Sequence, residues 1–150
     1  MIRHAALVVL AAAILGAEPG PRPPAVIGWR TDETAALAES LRSGRPLLVD
    51  AWAEWCGGCK LLDLRTWSDP GVRGEVQRRF VPLRVDLTEE GTIAETRMRA
   101  LGLTALPAVL ICMSRGCNAT SPRAVGFRGP AEMLAFLRAR PGPAARSSSP

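Results

Sequence analysis

The sequence predicts an α/β domain in which a mixed central β-sheet is flanked by helices on both faces. Three observations predict it. Helical and strand-like segments alternate along the first part of the chain, which favours parallel strands joined by right-handed crossovers. Near the end, two strand-like segments follow each other directly, as in an antiparallel hairpin. The chain has 150 residues, 47 % hydrophobic and 22 % charged, a composition that suits one domain with a buried core.

Each element has its own justification. Asp32 to Leu41 (DETAALAESL) opens with acidic residues and sets Ala and Leu on one face, so it is expected to be a helix. Gly44 supplies its stop. Pro46 to Trp52 (PLLVDAW) is a short apolar run of the kind a buried strand carries. From Cys56 the pattern turns helical, and CKLLDLRTW is expected to face Leu61, Leu62 and Leu64 inward. Ser68-Asp69-Pro70 places a capping side chain before a proline, so a second helical piece begins there. Phe80 to Val85 reads as a strand, and Glu89 to Ala100 as a helix with Ile93 and Met98 among its apolar positions. Pro107 to Met113 (PAVLICM) is a strand, with Arg123 to Phe127 (RAVGF) as its hairpin partner. Gly129-Pro130 opens a last helix through AEMLAFLRA.

The ends of the chain read differently. MIRH is a short basic start, Ala5 to Gly16 is apolar, and Leu15-Gly16-Ala17 ends in small residues. That is the layout of a signal peptide over residues 1–17. The run is short of the roughly 20 residues that span a bilayer, so an uncleaved anchor is the alternative. No cysteine stands at the cleavage point, which argues against a lipid anchor. Residues 18–25 (EPGPRPPA) form a Pro-rich linker, residues 26–140 the folded domain, and residues 141–150 a disordered tail. Export implies a periplasmic or secreted protein in an oxidising compartment. The net charge is +5, carried almost wholly by scattered arginines, with no stripe suited to nucleic acid. No oligomer interface is legible, and a monomer is expected.

The chemistry centres on DAWAEWCGGCKLL, Asp50 to Leu62. A structural disulfide, a zinc site and a redox-active thiol pair all use this cysteine spacing. Cys56 falls where a buried strand meets a helix, and the free N–H groups of a helix start stabilise a thiolate. Cys59 lies one turn further on and can close a small ring with Cys56. Gly57 and Gly58 leave that turn sterically open.

WAEWCGGCK resembles the active-site segment of thioredoxins, with Gly58 in place of their usual proline. TWSDPGV (Thr66 to Val72), VPLRVDLT and GLTALPAVL extend the resemblance. Together they look most like the C-terminal thioredoxin-like domain of the membrane reductase DsbD and its stand-alone relatives, over about residues 27 to 140. The resemblance implies a thioredoxin fold and thiol–disulfide exchange. It makes Cys56 the attacking nucleophile and Cys59 the resolving thiol. Asp50 becomes the buried acid that exchanges a proton with Cys59. Pro107 becomes a cis-proline facing the site, with Leu106 before it offering its backbone to an extended client. Trp55, Gly57 and Gly58 would line the client side. No metal or organic cofactor is needed. Partners would be proteins carrying disulfides or dithiols, and a separate membrane or soluble electron donor or acceptor. A reductase is favoured. An oxidase or isomerase is the near alternative, and a non-catalytic binding module with a permanent CGGC disulfide or metal clip is the further one.

A second pair, Cys112 and Cys117, flanks the turn SRG. At about 3.3 Å per residue, Cys112 lies roughly 16 Å along its strand from Pro107, too far for one zinc ion to join both pairs. A hairpin disulfide is expected. Two free thiols or a secondary redox pair are the alternatives.

Overall fold

The computed structural model describes residues 26–89, 91–113 and 116–139. The expected signal peptide, linker and tail lie outside the described residues. Helix α1 spans Glu33–Ser43, strand β1 Leu47–Trp52, helix α2 Gly57–Leu61, a π-helical turn Leu62–Trp67 and helix α3 Pro70–Arg79. Strand β2 spans Val81–Asp86, α4 Thr92–Leu101, β3 Ala108–Cys112, β4 Arg123–Val125 and α5 Pro130–Arg138. Among the described residues no helix is long and apolar enough to cross a membrane.

The sheet runs β2-β1-β3-β4 and is mixed, as expected. β1 and β2 pair in parallel through the long crossover that contains α2 and α3. β3 pairs antiparallel with both β1 and β4. Side chains of a strand alternate between faces, and here both faces are buried. Leu47, Val49 and Ala51 join one apolar cluster with Ala36 of α1, Val85 and Leu110. Leu48 joins the other, with Leu62, Trp67, Val72, Met133 and Leu137. Leu37, Met98 and Leu101 pack at the margin of the first cluster.

Local chemistry explains the helix ends. Asp32 caps α1 by accepting the Ala35 N–H at 2.9 Å, and Gly44 ends it in the left-handed region at φ 69°. Asp69 accepts the Val72 N–H at 2.9 Å, and Pro70 fits the first turn of α3. Each such cap stabilises by about 1 kcal/mol. α3 and α5 are tied together by Glu75, a buried carboxylate that pairs with Arg78 and with Arg79 at 3.0 Å, while Arg79 also reaches the Leu137 carbonyl at 3.1 Å.

One expectation needs correction. Leu64 does not face inward: it is 75 % exposed, whereas Leu62 is fully buried. The cause is helical geometry itself: side chains two residues apart point to opposite sides of a helix, so a buried Leu62 turns Leu64 to solvent. Ile93, though apolar, is exposed, and α4 buries none of its residues. The structure also adds a feature. Arg30 forms a one-residue parallel bridge to the free edge of β2, with its N–H on the Pro82 carbonyl at 2.9 Å and its carbonyl on the Arg84 N–H at 2.8 Å.

Candidate active site

β1 carries the chain through the middle of the sheet and delivers Cys56 to the start of α2. Cys56 is the N-cap of that helix, in extended conformation, and its Sγ accepts the Cys59 N–H at 3.1 Å. The two cysteines are joined in a disulfide with Cα atoms 5.3 Å apart. Both are buried: Cys56 is 5 % exposed and Cys59 1 %. The helix-start N–H thus points at the sulfur that would carry negative charge in the reduced state.

The approach to Cys56 is braced by one side chain that sequence reasoning did not single out. Thr88, just beyond β2, accepts the Glu54 N–H on its hydroxyl at 2.9 Å. Its carbonyl accepts the Trp55 indole N–H at 3.0 Å. Trp55 is held there and stays 58 % exposed. Lys60 and Gly57 are exposed.

Across the site lies the Leu106–Pro107 peptide, which is cis. Pro107 is buried, Leu106 partly so. The Pro107 carbonyl accepts the Gly126 N–H at 2.8 Å, which fixes the loop to the end of β4. Gly58 packs directly on the Pro107 ring: a Cβ at position 58 would lie 2.7 Å from the proline Cδ. The absence of a side chain at 58 is therefore what lets the two loops meet.

Asp50 sits in mid-strand, in register with Arg84 of β2 on one side and Val109 of β3 on the other. It does not reach solvent: it is 1 % exposed. Burial raises its pKa to about 6, and the pull of the Arg84 guanidinium offsets only part of that rise. Arg84 contacts Asp50 Oδ2 through Nε at 3.0 Å and Nη2 at 2.8 Å. Its other edge holds Asp63 of the π-helical turn, through Nη2 and through Nη1 at 3.3 Å. The guanidinium lies 5.0 Å from the Trp29 ring centroid and 5.6 Å from that of Trp52, within cation–π range. Arg84, Asp63, Trp29 and Trp52 were not readable as a unit, since an arginine in a strand looks like any edge cation until its neighbours are in place.

The second pair is also bridged. Cys112 and Cys117 form a disulfide with Cα atoms 4.8 Å apart. Cys112 is in register with Leu47, at the end of the sheet remote from Cys56. Gly116 bridges back to Met113 beside it. Among the described residues no group of three or more His, Cys, Asp or Glu side chains is arranged to hold a metal ion.

A mixed sheet with a Cys-x-x-Cys disulfide at a strand–helix junction, faced by a cis-proline, defines a protein of the thioredoxin class. The family model described as thioredoxin-like matches residues 28–113, and the chain belongs to that family. Within it, the chain is similar to the thiol:disulfide interchange protein DsbD. Identity is 30 % with the Yersinia pestis (strain Pestoides F) protein over 71 % of this chain and 18 % of that protein. It is 30 % with the Ralstonia nicotianae protein, over 85 % and 22 %. The chain thus spans about a fifth of the length of these relatives. Among solved structures it is similar to the reduced DsbD C-terminal domain of Neisseria meningitidis, with TM-score 0.59 and 23 % identity, covering 71 % of this chain and 93 % of that one. A thioredoxin from Thermus thermophilus gives TM-score 0.64 and 25 % identity, over 76 % and 86 %.

Proposed function

We propose that this chain is an exported thiol–disulfide oxidoreductase that reduces protein disulfides. The observation that carries the reading is the Cys56–Cys59 disulfide at the helix start, backed by the buried carboxylate of Asp50. In the reduced protein the Cys56 thiolate attacks one sulfur of a client disulfide. A mixed disulfide forms and one client thiolate leaves. Cys59 gives its proton to Asp50, and the resulting thiolate attacks Cys56 Sγ. The Cys56–Cys59 bond forms, the second client thiolate leaves, and two electrons have passed to the client. A pKa of about 6 makes Asp50 mostly ionised at neutral pH yet basic enough to take a proton. Gly58, Trp55 and Leu106 would contact the client. A separate dithiol protein would return the pair to its reduced state. The basic and apolar start of the sequence supports export as its signal peptide, and the oxidising compartment it leads to fits a second, permanent disulfide.

Direction is tested by the reduction potential of the Cys56–Cys59 pair, measured in thiol buffers through tryptophan fluorescence. A reductase is expected near about −270 to −230 mV; a value near about −180 to −120 mV would replace it with an oxidase or isomerase. Exchange itself is tested by Cys59→Ser, in which Cys56 should retain clients from an envelope extract as mixed disulfides. A pair that resists millimolar glutathione and traps nothing would leave a binding module with a structural bridge.

A further inference from the structure

We propose that the pole of the domain opposite the redox pair is a docking surface for an anionic lipid bilayer, which holds the domain with Cys56 and Cys59 turned away from the membrane. Such docking is independent of the direction of electron flow at the pair.

The topology builds this pole. Strand β1 begins there, since Leu47 is in register with Val81 on one side and with Cys112 on the other. Helix α1 leads into β1 and α3 into β2, so both helices end at this pole. α5 ends there too, because Arg79 of α3 donates to the Leu137 carbonyl at 3.1 Å. The carbonyl end of a helix favours cations, and each last turn is basic: Arg42 in α1, Arg78 and Arg79 in α3, Arg138 in α5. Arg45, just after α1, donates to the Gln77 carbonyl of α3 at 3.0 Å and joins the cluster into one surface. Arginines that are scattered along the chain are thus gathered by the fold.

The balance of charge at this pole is positive and outward. Glu75 answers Arg78, Arg79 and Arg138 together, at 3.0 Å from Arg79 and 3.7 Å from Arg138. Its side chain is 5 % exposed, whereas those of Arg78 and Arg138 are 70 % and 59 % exposed. The negative charge is inside and the positive charge outside. Glu39 is divided between Arg45 and Arg30, and Arg42 is exposed. A helix end carries about half a negative charge, less than this cluster supplies. Around the redox pair, by contrast, exposed Glu54, Asp86 and Glu89 stand against Lys60, Arg65 and Arg128.

Exposed apolar side chains stand among the arginines. Val26, Leu41 and Met113 are all exposed. Leu41 precedes Arg42 in the last turn of α1, and Met113 follows Cys112 off the end of β3. The Val26 carbonyl is held at the pole by the Gln77 side-chain amide at 3.0 Å. Basic groups beside exposed apolar ones suit a lipid surface, where guanidiniums meet headgroup phosphates and apolar side chains enter the acyl boundary. A nucleic acid would use the charge and leave the apolar groups unburied. Val26 is also where the chain enters the domain, from the basic and apolar start read as an export signal. The pole is therefore the part of the domain that first follows that start to the membrane.

The test uses the full chain and vesicles of two compositions, pure phosphatidylcholine and phosphatidylcholine with one third phosphatidylglycerol. Binding is read by co-sedimentation, and the docked face by phenylglyoxal modification of arginines followed by mass spectrometry. The protein should bind the anionic vesicles about tenfold or more tightly than the neutral ones, and lose this preference as salt is raised. On the anionic vesicles Arg42, Arg78 and Arg138 should react several-fold more slowly, while Arg65 and Arg128 keep their rates. Because the footprint compares the two vesicles, it reads the docked face even where the apolar start of the chain enters both. Arg42→Gln combined with Arg138→Gln should weaken binding to the anionic vesicles about tenfold. Arg65→Gln combined with Arg128→Gln removes the same charge and should leave binding in place. Equal affinity for both vesicles, protection centred on Arg65 and Arg128, or equal loss in the two double variants overturns the proposal. So does a protein that ignores anionic lipid and is retained by a DNA duplex, which would make the pole a nucleic-acid surface. Should a double variant fail to fold, the footprint on the unsubstituted chain decides.

Discussion

Gly58 and Pro107 touch so closely that no side chain fits between them: a Cβ on Gly58 would stand 2.7 Å from the proline Cδ and 3.3 Å from its Cγ. The contact joins the redox turn to the loop across from it. Gly58→Ala should therefore push the two loops apart. Overpacking of this kind costs about 1–3 kcal/mol, offset by up to about 1 kcal/mol of helix propensity. Lower urea stability together with slower attack on a client disulfide is the expected result. Unchanged stability and exchange would show that the Pro107 loop yields freely.

Asp50 destabilises the native state at neutral pH. Its folded pKa of about 6 lies above the ordinary 3.8, so the folded protein binds the proton more tightly than the unfolded chain. The stability that this protonation provides is greatest below the unfolded value, and declines as pH rises from there through about 6. The full cost, on the order of 2–3 kcal/mol, is present above that. Asp50→Asn should thus be more stable than the parent at pH 7.5, with the gap closing as pH falls towards 4. Denaturant titrations at several pH values measure this, and a gap independent of pH would contradict it.

Leu62 and Leu64, two residues apart in the π-helical turn, point to opposite sides of it and are unequal. Leu62→Ala opens a cavity in the core and should cost about 2–5 kcal/mol. Leu64→Ala should change stability by no more than about 0.5 kcal/mol, since its side chain stands in solvent. Thermal melts of the two variants check the pair. Equal losses would mean that Leu64 is buried as Leu62 is.

The Cys112–Cys117 disulfide closes a loop with a sequence separation of 5. Chain-entropy reasoning for so short a loop gives about 2 kcal/mol. Replacing both residues by Ala should lower the denaturation midpoint accordingly and leave exchange at Cys56–Cys59 intact. Loss of exchange in a folded double variant would assign the second pair a part in electron transfer.

Much of this architecture was readable in the residues. Asp32, Gly44, Asp69 and Pro70 announce helix ends through backbone chemistry that acts within a few residues. The runs around Val49 and Leu110 announce buried strands because both faces of the sheet are covered. Cys56 and Cys59 stood out by spacing, but Asp50 and Pro107 only through the family resemblance. What escaped depends mostly on distant partners. Arg30 pairs through one residue, too few for any alternation to show. Leu64 was misplaced because it was set on the same face as Leu62, although residues two apart on a helix point to opposite sides. Arg84 gains its meaning from Asp63 and Trp29, which lie far from it in the chain and near it only after folding.

Helix α4 buries none of its residues, while β1 and β3 beside it are almost wholly enclosed. Its amides should accordingly exchange with deuterium through a local opening that leaves the sheet and the redox turn intact. The domain would then breathe on that flank, and evolution could rewrite its outer surface at little energetic cost to the strands beneath.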